Sequence, residues 1–491
     1  MNKINKKNKT VAEQIAEFVV NLEYKDIPER VINKAKDQIL GVIAAIYAGS
    51  KTNSGKIIIN TIKDFGDREE SSLIPSGYKT SVRSAVLGNS CVGVALDYVD
   101  YLLSGHTGVS AVPASIAVAE SNRSTGKDLL VAQIIANEIE GRLGTSVFLG
   151  PQNGQLWSYI HLIGGAVVTS KLLNLNEDQV ANAIGIALSQ STYTIFRGYF
   201  SMAKLFVSGL PAQVGVQSAY FAKNGLRGAH DIIEHPLGFC NLMADIPLKF
   251  MTNSGLGEAW VTDTLCYKIY PGCAYVDALA DCILNLQKET SIDYKKIDEI
   301  EVYSSILTTA MDDFAAPFTT IDALKREKTP VALNFTVPYT IAATLIDEEL
   351  TPRQFKKDRY LDTEIHNLAK KVIIVPETKI SMEILGALPS INLPSLHDII
   401  SGNFSLTDAN LEDVIVAFAG AVKIKMNNGK EYYKKQKIPY GAPGNPYDLK
   451  KKFIQESKGT ISEEKTNKSI KLIEKLETID NIKELIKEFC I

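Results

Sequence analysis

The sequence predicts a mainly α protein in which an all-helical large domain, built from both ends of the chain, carries a smaller inserted α+β domain. Three observations predict it. Apolar residues recur at helical spacing through the first half, the pattern turns strand-like after about residue 265, and a Pro/Gly-rich link then returns to an amphipathic tail. The expected boundaries are 1–265 for the first helical part, 266–440 for the α+β lid domain and 441–491 for the C-terminal helical part.

Val11, Ile15, Phe18, Val19 and Leu22 fall on one helix face, and Thr10 and Glu13 are spaced as a capping box. A second helix begins near Pro28 and becomes apolar almost all round from Ile39 to Tyr47, the mark of a helix inside a bundle. Further helices are expected over 84–97, 111–121, 126–144, 164–173, 177–189 and 210–225, the last closed by Gly225. Beyond 265, the segments 299–303, 372–376, 414–418 and 422–426 read as strands. Asn427-Asn428-Gly429-Lys430 before Glu431-Tyr432-Tyr433 signals a hairpin. The link Gly441–Pro446 leads into a Lys/Glu-rich tail whose apolar face carries Leu472, Ile473, Leu476, Ile482, Leu485 and Ile486.

Bulk properties exclude several classes of function. With 53 basic against 56 acidic side chains, no overall field draws the chain to nucleic acid or an anionic membrane. The longest apolar run, Ile39 to Gly49, is about half a membrane span. Met1 to Lys9 is basic, but Glu13, Glu17 and Glu23 follow without a continuous apolar core, so no signal peptide is expected. The cysteines at 91, 240, 266, 273, 282 and 490 form no CxxC pair and fit reduced thiols in a cytoplasm. His230, His235, His366 and His397 lack ligand-like spacing, so no metal site is expected.

Two polar clusters beside loop-forming residues carry the chemistry. Lys268 lies on a short apolar run ending at Pro271, and Asp97, Asp100 and His106 precede Gly108. Lysine, histidine and carboxylate are the groups needed for proton transfer on an anionic substrate. Asp97 and Asp100 are spaced i,i+3, which on a helix places them on one face, where paired carboxylates push one pKa upward. His106 offers a group that titrates near neutrality. Lys204, framed by apolar residues like Lys268, suits binding of a carboxylate and stabilisation of an enolate-like charge. Tyr339 is a candidate for orienting substrate, Cys273 for lining the pocket, and His161 for reaching the cleft, each against the plainer reading of a core residue.

Several segments together resemble the MmgE/PrpD family, which includes 2-methylcitrate dehydratases and cis-aconitate decarboxylases. They are Gly105–Glu120, Gly126–Leu130, Met202–Phe206, Gly215–Gly225, Lys268–Tyr275, Asn334–Tyr339, and Gly441–Pro446 with Lys452-Phe453. The resemblance implies a large helical domain, a smaller α+β lid, an active site between them and a homodimer. It implies work on small polycarboxylates by dehydration, decarboxylation or isomerisation, without metal or organic cofactor. It carries Asp97, His106, Lys204 and Lys268 over as catalytic residues. It also marks departures from the decarboxylases: Gln155 and Cys273 stand where those enzymes have histidines, Tyr101 where they have a threonine, and His161 where a glycine is more usual. The expected function is a cofactor-independent lyase of a di- or tricarboxylate, with Asp97 and His106 as base and acid in either order. The alternatives are an isomerase or epimerase with the same proton chemistry, and an inactive carboxylate-binding member.

Overall fold

The computed structural model describes residues 9–150, 158–190, 195–381, 405–408 and 410–491. The first half is a bundle of α1 (Val11–Asn21), α2 (Glu29–Ser50), α3 (Asn53–Asp64), α4 (Val82–Gly93), α5 (Gly108–Asn122), α6 (Gly126–Ser146), α7 (Ile160–Leu172), α8 (Glu177–Leu188) and α9 (Phe206–Lys223). A small hairpin, β1 (Ser71–Leu73) with β2 (Tyr78–Thr80), interrupts it. The short α10 (Phe239–Met243) follows. Thr10 and Glu13 form the expected capping box of α1, and Thr125 with Asp128 forms another on α6. Residues Gln38 to Gly49 of α2 are buried on every side, as the all-round apolar pattern requires. Helix α7 packs between α6 and α9.

The second half places α11 (Asp277–Glu289) before β3 (Ile297–Ser304), then α12 (Ile306–Ala315), α13 (Ile321–Glu327), α14 (Val337–Asp347), α15 (Lys357–Tyr360), α16 (Thr363–Ala369) and β4 (Val372–Pro376). The hairpin β5 (Gly420–Met426) and β6 (Glu431–Gln436) completes a four-stranded sheet of order β4-β3-β5-β6. Strand β3 runs parallel to β4 and antiparallel to β5. Ile300, Val302, Val422 and Ile424 alternate onto one face and share a core with Leu279, Ile283 and Leu286 of α11. A β-β hairpin pairs directly, whereas the parallel β3–β4 pair needs the helices between them as a crossover.

The chain ends in α17 (Leu449–Ser457), α18 (Glu463–Glu474) and α19 (Lys483–Ile486). Leu449, Phe453, Ile473, Leu476, Ile482 and Phe489 join the core of the first-half bundle rather than that of the sheet. Among the described residues no helix is long and apolar enough to cross a membrane.

Two elements differ from the sequence expectation. Helix α4 stops at Gly93, so Asp97 and Asp100 lie in an irregular loop and share no helix face. The segment 414–418 is not a strand. Val414 packs with Leu102 and Leu265, Ala417 packs with Tyr101 and Cys266, and the Val416 carbonyl accepts from the Cys266 thiol at 3.2 Å. Its alternating apolar residues cover the site segment instead of extending β5.

Candidate active site

The loop after α4 turns back on itself at Asp97, whose φ of +52° is left-handed. That conformation costs a non-glycine residue about 1–2 kcal/mol and aims both the Asp97 carbonyl and its carboxylate at one point. The point is Lys268 Nζ, which donates to Asp97 O at 3.0 Å, to Asp97 Oδ2 at 3.1 Å and to Gly272 O at 3.1 Å. Three donors meet three acceptors, so this ammonium is fully engaged. Lys204, on a 3-10 turn over Met202–Leu205, places its Nζ 3.1 Å from Asp97 Oδ1 and 4.8 Å from the centre of the Phe335 ring. Beyond this contact with Asp97, Lys204 Nζ has no hydrogen-bond partner among the described residues, which leaves N–H capacity for a ligand. Both lysines and Asp97 are buried.

The electrostatics follow from this geometry. Burial works against the Asp97 carboxylate, but Lys204, Lys268 and His106 overcome it and hold the group well below the usual carboxylate range. Burial also opposes the Lys268 ammonium, yet Asp97 lifts it above an ordinary lysine. Burial lowers Lys204, and Asp97 offsets only part of that loss. Asp97 is therefore ionised at neutral pH and cannot donate a proton.

The lysine segment is held by main-chain bonds to distant parts of the chain. Tyr101 and Cys266 pair through two backbone bonds of 2.9 and 2.8 Å. Tyr267 N–H donates to Gly441 O, Gly272 N–H to Leu96 O and Cys273 N–H to Asn334 O. Lys452 of α17 adds two more, from its Nζ to Tyr98 O at 2.6 Å and Lys268 O at 2.8 Å, while lying 3.6 Å above the Tyr98 ring. Burial pushes the Lys452 ammonium down to about 7, with Glu456 opposing.

His106 follows a tight turn closed by reciprocal Leu102 and Gly105 backbone bonds. Its Nδ1 lies 2.9 Å from the Asp100 carbonyl. A carbonyl only accepts, so Nδ1 carries the proton and Nε2 carries the lone pair. Burial and Lys268 push the half-buried imidazole down to about 4, against the pull of Asp97. It is a neutral base. Tyr101 packs its ring edge-on to His106, with centres 6.1 Å apart.

Asp100 is separate from this cluster in role. Its Oδ1 accepts from Gly108 N at 3.0 Å, at the start of α5, and burial pushes its carboxyl up to about 6. A Cβ on Gly108 would lie 2.1 Å from Asp100 Oδ2, so the two residues fit only because one is glycine. Gly108→Ala is expected to destabilise the protein by about 1–3 kcal/mol, read from denaturant midpoints, and Asp100→Ala in the same chain to restore most of the loss.

The structure thus brings Asp97, His106, Lys204 and Lys268 together, with Tyr101 and Cys273 on adjoining backbone. His161 sits on α7 with its Nδ1 2.7 Å from Ser110 Oγ and 3.2 Å from Glu140 Oε2. Tyr339 is not brought to the cluster. Its hydroxyl donates to the Gln354 carbonyl, and its ring packs on Phe355 and His366. Gln155 lies outside the described residues. Among the described residues no three His, Cys, Asp or Glu side chains converge as metal ligands.

Sequence reading missed Lys452, Asp277 and Asn334 as site residues. Asp277 opens α11, buried, and burial raises its carboxyl well above the usual range while Lys268 opposes. Asn334 is buried, and both ends of its amide lack a partner among the described residues. Lys452 hides in the run Lys450-Lys451-Lys452, but its spacing from Leu449, Phe453 and Glu456 puts it on the buried face of α17.

A sequence profile for the MmgE/PrpD N-terminal domain matches residues 13–250, and the profile for the MmgE/PrpD C-terminal domain matches residues 270–391. A cis-aconitate decarboxylase of Aspergillus terreus is 26% identical over 383 residues, spanning 74% of this chain and 77% of that protein. A cis-aconitate decarboxylase of Homo sapiens is 20% identical over 497 residues, spanning 96% of this chain and 93% of that protein. A cis-aconitate decarboxylase-like protein of Aspergillus oryzae is 24% identical over 308 residues, spanning 58% and 64%. The two family domains follow each other along the chain in order, and the Asp97 cluster joins the first to the segment leading into the second: this chain belongs to the MmgE/PrpD family.

Proposed function

We propose that this protein is a lyase acting on a small di- or tricarboxylate, of dehydratase type or, as the names of its relatives suggest, a decarboxylase, and that it needs neither metal nor organic cofactor. The observation that carries the reading is one carboxylate, Asp97, held 3.1 Å from each of two buried ammonium groups beside a neutral imidazole.

The roles divide by free capacity. Lys268 has every N–H committed and fixes Asp97. Lys204 has N–H groups to offer and takes a substrate carboxylate, with the Asn334 amide as a second polar contact. His106 Nε2 removes the proton α to that carboxylate. Carbanion formation there has a high barrier, and preorganised positive charge in a buried site is the largest available means of lowering it. Bound substrate carboxylate raises the His106 pKa toward the range that suits a base at neutral pH. Because both ammonium groups are buried, substrate enters only when the segments over them part, and the reading takes 266–440 as a lid over the helical domain. A cytoplasmic homodimer is the assembly this reading takes.

The test is to incubate purified protein with a panel of small polycarboxylic acids in deuterium oxide, following α-hydrogen exchange and product by NMR. At least one acid is expected to exchange and turn over, and His106→Ala to lose both. A panel in which no acid exchanges or reacts removes the proposal. Exchange without loss of water or carbon dioxide would move the assignment to an isomerase.

A further inference from the structure

With Asp97 held ionised, the elimination proposed above lacks an acid for its leaving group. A second buried cluster, one turn into α5, contains the missing proton. Ser110 Oγ lies 2.8 and 2.9 Å from the two Glu140 carboxyl oxygens, 2.7 Å from His161 Nδ1 and 3.0 Å from the Thr107 carbonyl. Ser110, Glu140 and His161 are all buried; His161 Nδ1 also lies 3.2 Å from Glu140 Oε2, and no Lys or Arg pairs with Glu140 among the described residues. The fold makes room for the carboxyl: a Cβ on Gly164, one turn after His161, would stand 1.6 Å from Glu140 Oε1.

The hydrogen count fixes the direction of these bonds. An uncompensated buried carboxylate is costly, so Glu140 is the neutral acid, and burial indeed raises it well above its ordinary range while Ser110 opposes and Asp100 adds to the rise. Its O–H donates to Ser110 Oγ. The single Ser110 hydrogen then goes to the nearest acceptor, His161 Nδ1. That leaves His161 protonated on Nε2, the opposite tautomer from His106. His161 itself stays neutral, lowered to about 3 by burial and by His106. Among the described residues, Asp100 acts on Glu140 and His106 acts on His161; Glu138 and Arg142 of α6 are engaged with each other.

We infer that Glu140, Ser110 and His161 form a proton relay that supplies the acid of the reaction, opposite in tautomer to the base His106. This rests on the lyase reading. His106 Nε2 takes the substrate α-proton as the C–H bond breaks and the C=C bond forms. The departing hydroxide takes the proton from His161 Nε2 and leaves as water. His161 Nδ1 receives the Ser110 proton, Ser110 receives that of Glu140, and the resulting carboxylate is balanced by the imidazolium at His106. After product leaves, His106 gives its proton to solvent, and a proton taken up at His161 Nε2 is passed back through Ser110 to Glu140. His161 is the group that meets the leaving oxygen; Ser110 and Glu140 act through it.

Two measurements test this. In the wild-type protein labelled with 15N-histidine, long-range 1H–15N correlation at neutral pH is expected to show His106 protonated on Nδ1 and His161 on Nε2. His161 protonated on Nδ1 overturns the relay. Glu140→Gln keeps size and hydrogen bonding but removes the transferable proton. In it and in His161→Phe, α-hydrogen exchange of the substrate found above is expected to stay within a few-fold of wild type. Product formation is expected to fall on the order of 100-fold. Exchange and product falling in step would mark a purely structural role and overturn the inference alone. A wild-type protein that exchanges no α-hydrogen overturns the lyase reading, and this inference with it.

Discussion

Lys268→Ala is expected to abolish turnover and to cost about 3–5 kcal/mol of stability, because it removes one partner from a buried ion pair and strands two carbonyls. Of the two lysines the Asp97 carboxylate would keep Lys204, and the Asp97 and Gly272 carbonyls would lose their shared donor. Lys204→Ala makes the informative comparison. Lys204 contributes one ion pair and the face of Phe335, so its loss should cost less stability while turnover falls as far. Chemical denaturation of both variants, alongside the polycarboxylate assay, measures the two quantities separately. Equal destabilisation would remove the distinction drawn between a fixing and a binding lysine.

His106→Ala is expected to reduce turnover by about 10²–10⁴-fold while leaving the fold intact, since its one described hydrogen bond ends on the Asp100 carbonyl. The imidazole also sets an acid limb. It must be neutral to act, so kcat/KM in the wild type should be level at neutral pH and fall as pH drops through about 4. Stability should move in the same direction. The unfolded imidazole binds its proton near its ordinary value, about 6.5, while the folded one waits until about 4. The unfolded state therefore holds more protons in that window, and stability is lost as pH falls through it. His106→Ala should flatten this part of the stability curve. A curve unchanged by the substitution would show that His106 is not the buried neutral base.

Much of the fold was legible because helix periodicity survives tertiary packing. The bundle helices, β3, β4 and the β5–β6 hairpin all announce themselves. Helix α4 was overrun because Val94, Ala95 and Leu96 continue its apolar pattern, whereas the helix stops at Gly93 and a turn over 94–97 leads to the left-handed Asp97. A pattern in one dimension does not contain the lysines that make that turn worthwhile. Residues 414–418 have strand composition but cover Cys266, a destination set by contacts far away in sequence. At the site, the isolated charges Asp97, His106, Lys204 and Lys268 stand out against apolar neighbours. Tyr339 shares that apolar framing, yet its hydroxyl is used by Gln354. Glu140 was invisible for a different reason: in Asn137-Glu138-Ile139-Glu140 it reads as a solvated helix charge, and nothing local reveals that α5 and α7 close over it.

The clamp by Lys452 gives the protein a calendar. A ribosome must write 354 residues beyond Tyr98 and 184 beyond Lys268 before the side chain that locks them exists at all. Until then the charged centre cannot be held in register, and the bundle's interior still lacks Leu449, Phe453 and Ile473. Competence for chemistry therefore waits on α17, and Lys452→Met, which spares the apolar contacts of Leu449 and Phe453, should silence the centre without touching any group that handles substrate.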